Sequence, residues 1–269
     1  MARVRTLSAA ASVAALAAGA TWGGRMLLRR QAAIARRRIG KPLGEEAPDA
    51  DRVWRRAFDG DVLELLLLGD SIAAGLGAHR RKDTLGGRLA KGIADALGRP
   101  VRLRTAAVVG SESSELVGQL NSLPAEYRPD LALIVVGGND VTHRVPVSAS
   151  VMHLSAAIAR LRAHGSEVIV ATCPDLGALR AVPQPLRQLG SRASRRLAEA
   201  QADAALAAGA RVFSLRRTVG PMFLSAPEEM FSLDRFHPSA VGYRRTAAAL
   251  LPVALDALAD PVTDDSGRP

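Results

Sequence analysis

Residues 62–68 read Val-Leu-Glu-Leu-Leu-Leu-Leu, and the run stops at once on Gly69-Asp70-Ser71. A strand with one wet face alternates apolar and polar side chains. A nearly unbroken apolar run of strand length fits a strand covered on both faces. Similar runs occur at 131–136 and 167–172, and residues 101–109 and 211–215 are further strand candidates. Between them, 84–97, 151–163 and 191–208 have helical spacing or composition, and 239–258 supplies a closing helix. Strands alternating with helices predict an α/β fold, with a parallel sheet of about five strands between two helical layers. With 48% hydrophobic residues in 269, the chain can bury a core of that size.

The domain plan follows from composition. Residues 61–258 hold the alternating elements. Residues 42–60, with Pro42, Gly44 and Pro48 among mixed charges, read as a linker, and 259–269 as a polar tail. The formal charge of +10 is unevenly placed. Nine of the 36 basic residues lie in residues 1–41, which contain no acid, while the other 27 are balanced by 26 acids. The body is therefore close to neutral, which argues against a nucleic-acid partner, since such a partner needs a basic surface on the folded domain. The single cysteine, Cys173, follows an apolar stretch, excludes an intrachain disulfide and reads as a small buried hydrophobe.

The N-terminal segment admits three readings. Arg3 and Arg5, an Ala-rich stretch and Ala18-Gly19-Ala20 have the layout of a signal peptide. The uncharged stretch 6–24 has just the length of a membrane anchor. Leu28, Ala32, Ala35 and Ile39 fall at helical spacing among arginines, as in a basic helix lying on an anionic membrane. A solvated, partly ordered linker is the plain alternative to all three; the expectation is association with the membrane or cell envelope through residues 6–41, with the side of the membrane open.

In parallel α/β sheets, ligands bind at the carboxyl ends of the strands. The residues found there are Gly69-Asp70-Ser71 after the first strand, Gly110 after the second, and Gly137-Gly138-Asn139-Asp140 after the third. Asp234-Arg235-Phe236-His237-Pro238 precedes the closing helix. Singly, each is ordinary turn or cap chemistry. Jointly they supply what acyl transfer requires: a serine nucleophile, a histidine base, a carboxylate to orient it, and donors for the oxyanion. Ser71, His237 and Asp234 fit the first three roles. The Ser71 and Gly110 N–H groups and the Asn139 amide fit the last, with glycine at 110 leaving room for the substrate oxygen. His79, His143, His153 and His164 lack such a pattern, although His143 follows Asn139 closely. There is no Gly-x-Ser-x-Gly elbow, no phosphate loop and no zinc-ligand spacing, so neither metal nor cofactor is expected.

These blocks, in this order, resemble the SGNH hydrolases, or GDSL-type esterases and lipases, over residues 62–258. Gly69-Asp70-Ser71-Ile72 corresponds to the first block, Gly110 to the second, Gly137-Gly138-Asn139-Asp140 to the third, and Asp234-Arg235-Phe236-His237 to the fifth. Pro174-Asp175-Leu176-Gly177 is similar to the family's post-strand turn. The resemblance implies a flavodoxin-like three-layer sandwich and a serine esterase whose triad is Ser71, His237 and Asp234. It also implies an oxyanion hole of Ser71, Gly110 and Asn139. One departure stands out: the family often carries an asparagine shortly before the second-block glycine, whereas this chain has Thr105-Ala106-Ala107-Val108-Val109. That predicts a loosened supporting contact.

The expected substrate is a small acyl or lipid ester. The alternatives are a carbohydrate O-deacetylase of the cell envelope and a non-catalytic envelope scaffold. Aromatic residues make up only 3% of the chain, which leans away from polysaccharide platforms. Met222, Phe223 and Met230, just before Asp234, are expected either to line an acyl pocket or to pack a loop beneath the last helix.

Overall fold

A computed structural model describes residues 2–259, with side chains from residue 21 onward. The chain order is α1 (Ala2–Ile39), β1 (Arg52–Trp54), β2 (Leu63–Gly69), α2 (Ser71–Ala74), α3 (Leu85–Leu97), β3 (Val101–Thr105) and α4 (Leu116–Asn121). It continues with β4 (Leu131–Val135), α5 (Gly138–His143), α6 (Val147–Ala163), β5 (Glu167–Ala171), α7 (Leu186–Ala207) and β6 (Arg211–Phe213). The last helices are α8 (Leu215–Thr218), α9 (Gly220–Ser225), α10 (Pro227–Met230) and α11 (Ala240–Ala259).

The sheet has six strands in the order β1-β3-β2-β4-β5-β6. All neighbours are parallel except β1, which runs antiparallel to β3 at the edge. The leucine run explains itself in this setting. Leu63, Leu65 and Leu67 join Leu89, Ile93, Tyr243 and Leu250 from α3 and α11 in one core layer. Leu66 and Leu68 point the other way, among Leu116, Leu154 and Ile158 from α4 and α6. Leu65 to Leu68 are all 0% exposed. Both faces of β2 are covered, so neither tolerates the polar alternation of a half-wet strand.

Two expectations need correction. The sheet has a sixth strand, and it comes from within the segment read as a linker: Arg52–Trp54 pairs with Val101–Leu103, and Asp51 accepts the Thr105 N–H at 2.9 Å. The stripe read as membrane-facing is instead covered by protein. Ala35 is buried, Leu28, Ala32 and Ile39 are half-buried, and Gln31 bonds both the Gln184 carbonyl and the Leu186 N–H at the start of α7. An amphipathic pattern reports that one face is covered, and does not say by what. Among the described residues, no helix is long and apolar enough to cross a membrane. Apart from Ala259, the expected tail 259–269 lies outside the described residues.

Candidate active site

Gly69 ends β2 with φ +126°, and a Cβ there would fall 1.8 Å from the Val135 carbonyl oxygen. Only glycine allows this approach. It lets the Asp70 N–H donate to Val135 at 3.0 Å, and the chain turns directly into α2. Asp70 caps that helix by accepting the Ile72 N–H at 2.9 Å. Ser71 is thus the first residue of α2, at the carboxyl end of the sheet.

The segment from Ser232 to Tyr243 reaches this point from the far end of the chain. The Ser232 hydroxyl donates to the Gly77 carbonyl at 3.2 Å, and the buried Tyr243 hydroxyl donates to the Leu76 carbonyl at 2.7 Å. The result sets His237 Nε2 2.9 Å from Ser71 Oγ. On its other side, His237 Nδ1 is 2.5 Å from Asp234 Oδ2. Burial pushes the Asp234 carboxyl up, but the His237 ring and the N–H groups of Phe236 and His237 outweigh it, so the carboxyl lies below its usual range. At Asp70 the compensation falls short. Burial pushes it up to about 7, against the Ile72 N–H and the nearby His237, with Asp140 adding to the rise.

Asn139 lines the same cleft as Ser71 and His237. Its amide donates to the Ser111 carbonyl at 2.9 Å, which leaves a second N–H on the same nitrogen. The neighbouring Asp140 is buried, accepting the Ser150 hydroxyl at 2.6 Å and the Ser113 N–H at 3.1 Å. These bonds fix α5, and with it Asn139. Gly110 is exposed and stands outside the apolar lining, next to Ser111, whose carbonyl holds the Asn139 amide. Its φ of +89° is the local reason for glycine, since an added Cβ would meet nothing within 4 Å. Among the described residues, neither the Ser71 nor the Gly110 N–H has a protein acceptor. His143 sits apart from the serine, paired with Glu112 at 2.6 Å on the exposed rim.

An apolar cleft runs from Ser71 and His237 between Leu176, Leu179, Leu215, Val219, Phe223 and Phe231. The Arg180 guanidinium, donating to the Leu224 carbonyl at 3.0 Å, ties its two walls together. Of the three residues expected here, Phe223 lines the cleft, with its ring edge-on to Phe231 at 4.9 Å. Met230 is buried away from it and Met222 is exposed, so the pocket reading fits Phe223 alone.

Gln119, a buried amide beneath the Gly69–Ser71 turn, carries no signal in the sequence. Glutamine is usually exposed, and its place is fixed only by the packing of α4 on β2. The Asp140 anchor was partly legible as the last residue of Gly-Gly-Asn-Asp, but its partner Ser150 was not.

A mostly parallel three-layer sandwich with these groups at the carboxyl ends of its strands is the SGNH hydrolase arrangement, and the chain belongs to the GDSL-like lipase/acylhydrolase family, whose profile matches residues 67–245. It is similar to the GDSL-like esterase Rv1075c of Mycobacterium tuberculosis, with 38% identity over 98% of this chain and 89% of that one. Among solved structures it is similar to TesA (TM-score 0.58, 22% identity, 74% of this chain and 99% of that chain). It is also similar to the esterase EstA from Pseudoalteromonas sp. (TM-score 0.58, 18% identity, 73% and 99%). The protein is a carboxylic ester hydrolase of this family.

Proposed function

We propose that residues 61–258 form a serine esterase in which Ser71 is the nucleophile, His237 the general base and Asp234 its orienting carboxylate. The observation that carries this reading is the continuous line Ser71–His237–Asp234, at 2.9 and 2.5 Å. His237 Nε2 takes the Ser71 proton as Oγ attacks the ester carbonyl. The Asp234 contact keeps the remaining proton on Nδ1 and stabilises the imidazolium. The N–H groups of Ser71 and Gly110 and the free N–H of Asn139 receive the oxyanion. Collapse of the tetrahedral intermediate expels the alcohol, which takes its proton from His237. Water, activated by the same imidazole, then releases the acid and restores Ser71.

The substrate we propose is an ester with an apolar acyl part. The cleft beside Ser71 supports this, because its walls are aliphatic and aromatic and offer little to a sugar. Replacing Ser71 by alanine should remove roughly three or more decades of turnover on p-nitrophenyl acetate. A series of p-nitrophenyl esters from acetyl to decanoyl tests the acyl part. The reading expects kcat/KM to rise beyond acetate, and a sharp preference for acetate over every longer chain contradicts it. We also propose a cell-envelope location, on the charge of the N-terminal segment. A topology reporter fused after residue 60 tests it, and a reporter signal confined to the soluble cytoplasmic fraction contradicts it.

A further inference from the structure

Beside the proposed triad lies a buried side chain with no part in the chemistry so far. Gln119, on α4, is 5% exposed. Its Oε1 accepts the Gly69 N–H at 2.8 Å, and its Nε2 donates to the Gly69 carbonyl at 2.8 Å. The same Nε2 donates to the Ser111 hydroxyl at 3.2 Å. One amide therefore pairs with both backbone groups of the residue two before Ser71, and grips the residue just after Gly110.

The sheet explains why such a group is needed. The β2–β3 ladder ends at Leu67 opposite Thr105, and beyond it only the Ala106 and Val108 N–H groups still reach β2, at the Leu67 and Gly69 carbonyls. The Gly69 N–H is left facing a chain that has turned away. A buried N–H without an acceptor is costly, and Gln119 supplies the acceptor. This chain lacks the asparagine that the family often carries before the second-block glycine, having Thr105 to Val109 there instead.

We infer that Gln119 is a positioning residue that sets all three proposed oxyanion donors in register. It holds Gly69, and so the start of α2 and the Ser71 N–H. Through the Ser111 hydroxyl it holds the turn that carries the Gly110 N–H. Ser111 in turn uses its carbonyl to orient the Asn139 amide at 2.9 Å. Loss of the Gln119 amide lets that turn shift relative to Ser71, and displacements of about an ångström can cost on the order of a hundredfold in rate.

The inference rests on the oxyanion reading of Asn139, and a double-mutant cycle separates the two. Gln119→Met keeps the volume and removes every hydrogen bond; Ser111→Ala removes only the link to the Gly110 turn. Kinetics on p-nitrophenyl butyrate should show kcat down about tenfold or more in Gln119→Met and about threefold in Ser111→Ala, with KM within about threefold of wild type. In an Asn139→Ala background both penalties should shrink, because the part of each that acts through Asn139 is already lost and residues acting as one unit are not additive. Should Gln119→Met fail to fold, Ser111→Ala carries the same test. Wild-type kcat in the folded variants, or penalties undiminished by Asn139→Ala, overturn the role of Gln119 alone. An unchanged kcat in Asn139→Ala itself overturns the oxyanion reading beneath it.

Discussion

Asp234 holds His237 twice over: one carboxylate oxygen meets the ring at Nδ1, 2.5 Å away, and the other accepts the His237 backbone N–H at 3.0 Å. A three-residue spacing thus fixes both the ring and the backbone that carries it. Asparagine at 234 can keep the geometry but presents an amide to Nδ1, which favours the wrong tautomer. Asp234→Asn should therefore keep the fold and KM while losing roughly three to four decades of kcat, as in other triads. Steady-state kinetics on a folded variant check this. A loss below about tenfold removes Asp234 from the catalytic line.

Gly69 sits where β2, the turn to Ser71 and the neighbouring strand β4 meet. Alanine there would place a methyl 1.8 Å from the Val135 oxygen at a φ of +126°. The backbone must move, and backbone strain and overpacking each contribute about 1–3 kcal/mol. Gly69→Ala should lose about 3 kcal/mol or more in urea unfolding, or fail to accumulate as folded protein. A loss under about 1 kcal/mol would mean that β2 and β4 separate more easily than this packing allows.

Burial pushes the Asp70 carboxyl up to about 7, well above the value near 3.9 expected in the unfolded chain. A raised folded value means that the stability linked to this group is fully present below about pH 4 and is lost as the pH rises through about 7. Asp70→Asn stays neutral and keeps an oxygen for the Ile72 N–H. It should match wild type near pH 4 and exceed it by up to about 4 kcal/mol near pH 8. Asp234 has the opposite sign, since its lowered value makes its contribution disappear as the pH falls, but it is common to both proteins and cancels in the comparison. Unfolding curves of the pair from pH 4 to 8 decide the matter, and a pH-independent difference contradicts the raised value.

Much of this arrangement can be read from the sequence, and the limits have physical causes. The four leucines at 65–68 announce a strand covered on both faces because no half-exposed strand would carry them. Ser71, Asn139 and His237 are legible because they follow strand ends or precede a helix, where an α/β sheet gathers chemistry. Arg52–Trp54 was not legible: three residues on a sheet edge, one side chain exposed and two half-buried, carry no period. The stripe Leu28, Ala32, Ala35, Ile39 gave the right covered face and the wrong covering, since lipid and protein select the same pattern. Phe223 and Met230 are equally apolar, and only the turn between α9 and α10 decides which meets the cleft. Gln119 is hidden for the same reason: nothing local marks a glutamine for burial.

The proposed chemistry turns on the reactivity of Ser71. Treatment of the full chain with a fluorophosphonate, followed by intact mass and peptide mapping, reads it without knowledge of the natural ester. One adduct per chain, on Ser71, with parallel loss of p-nitrophenyl ester hydrolysis, is the predicted result, and labelling should vanish in His237→Ala. Folded, active protein that leaves Ser71 unmodified, or carries the adduct on another residue, contradicts Ser71 as the nucleophile.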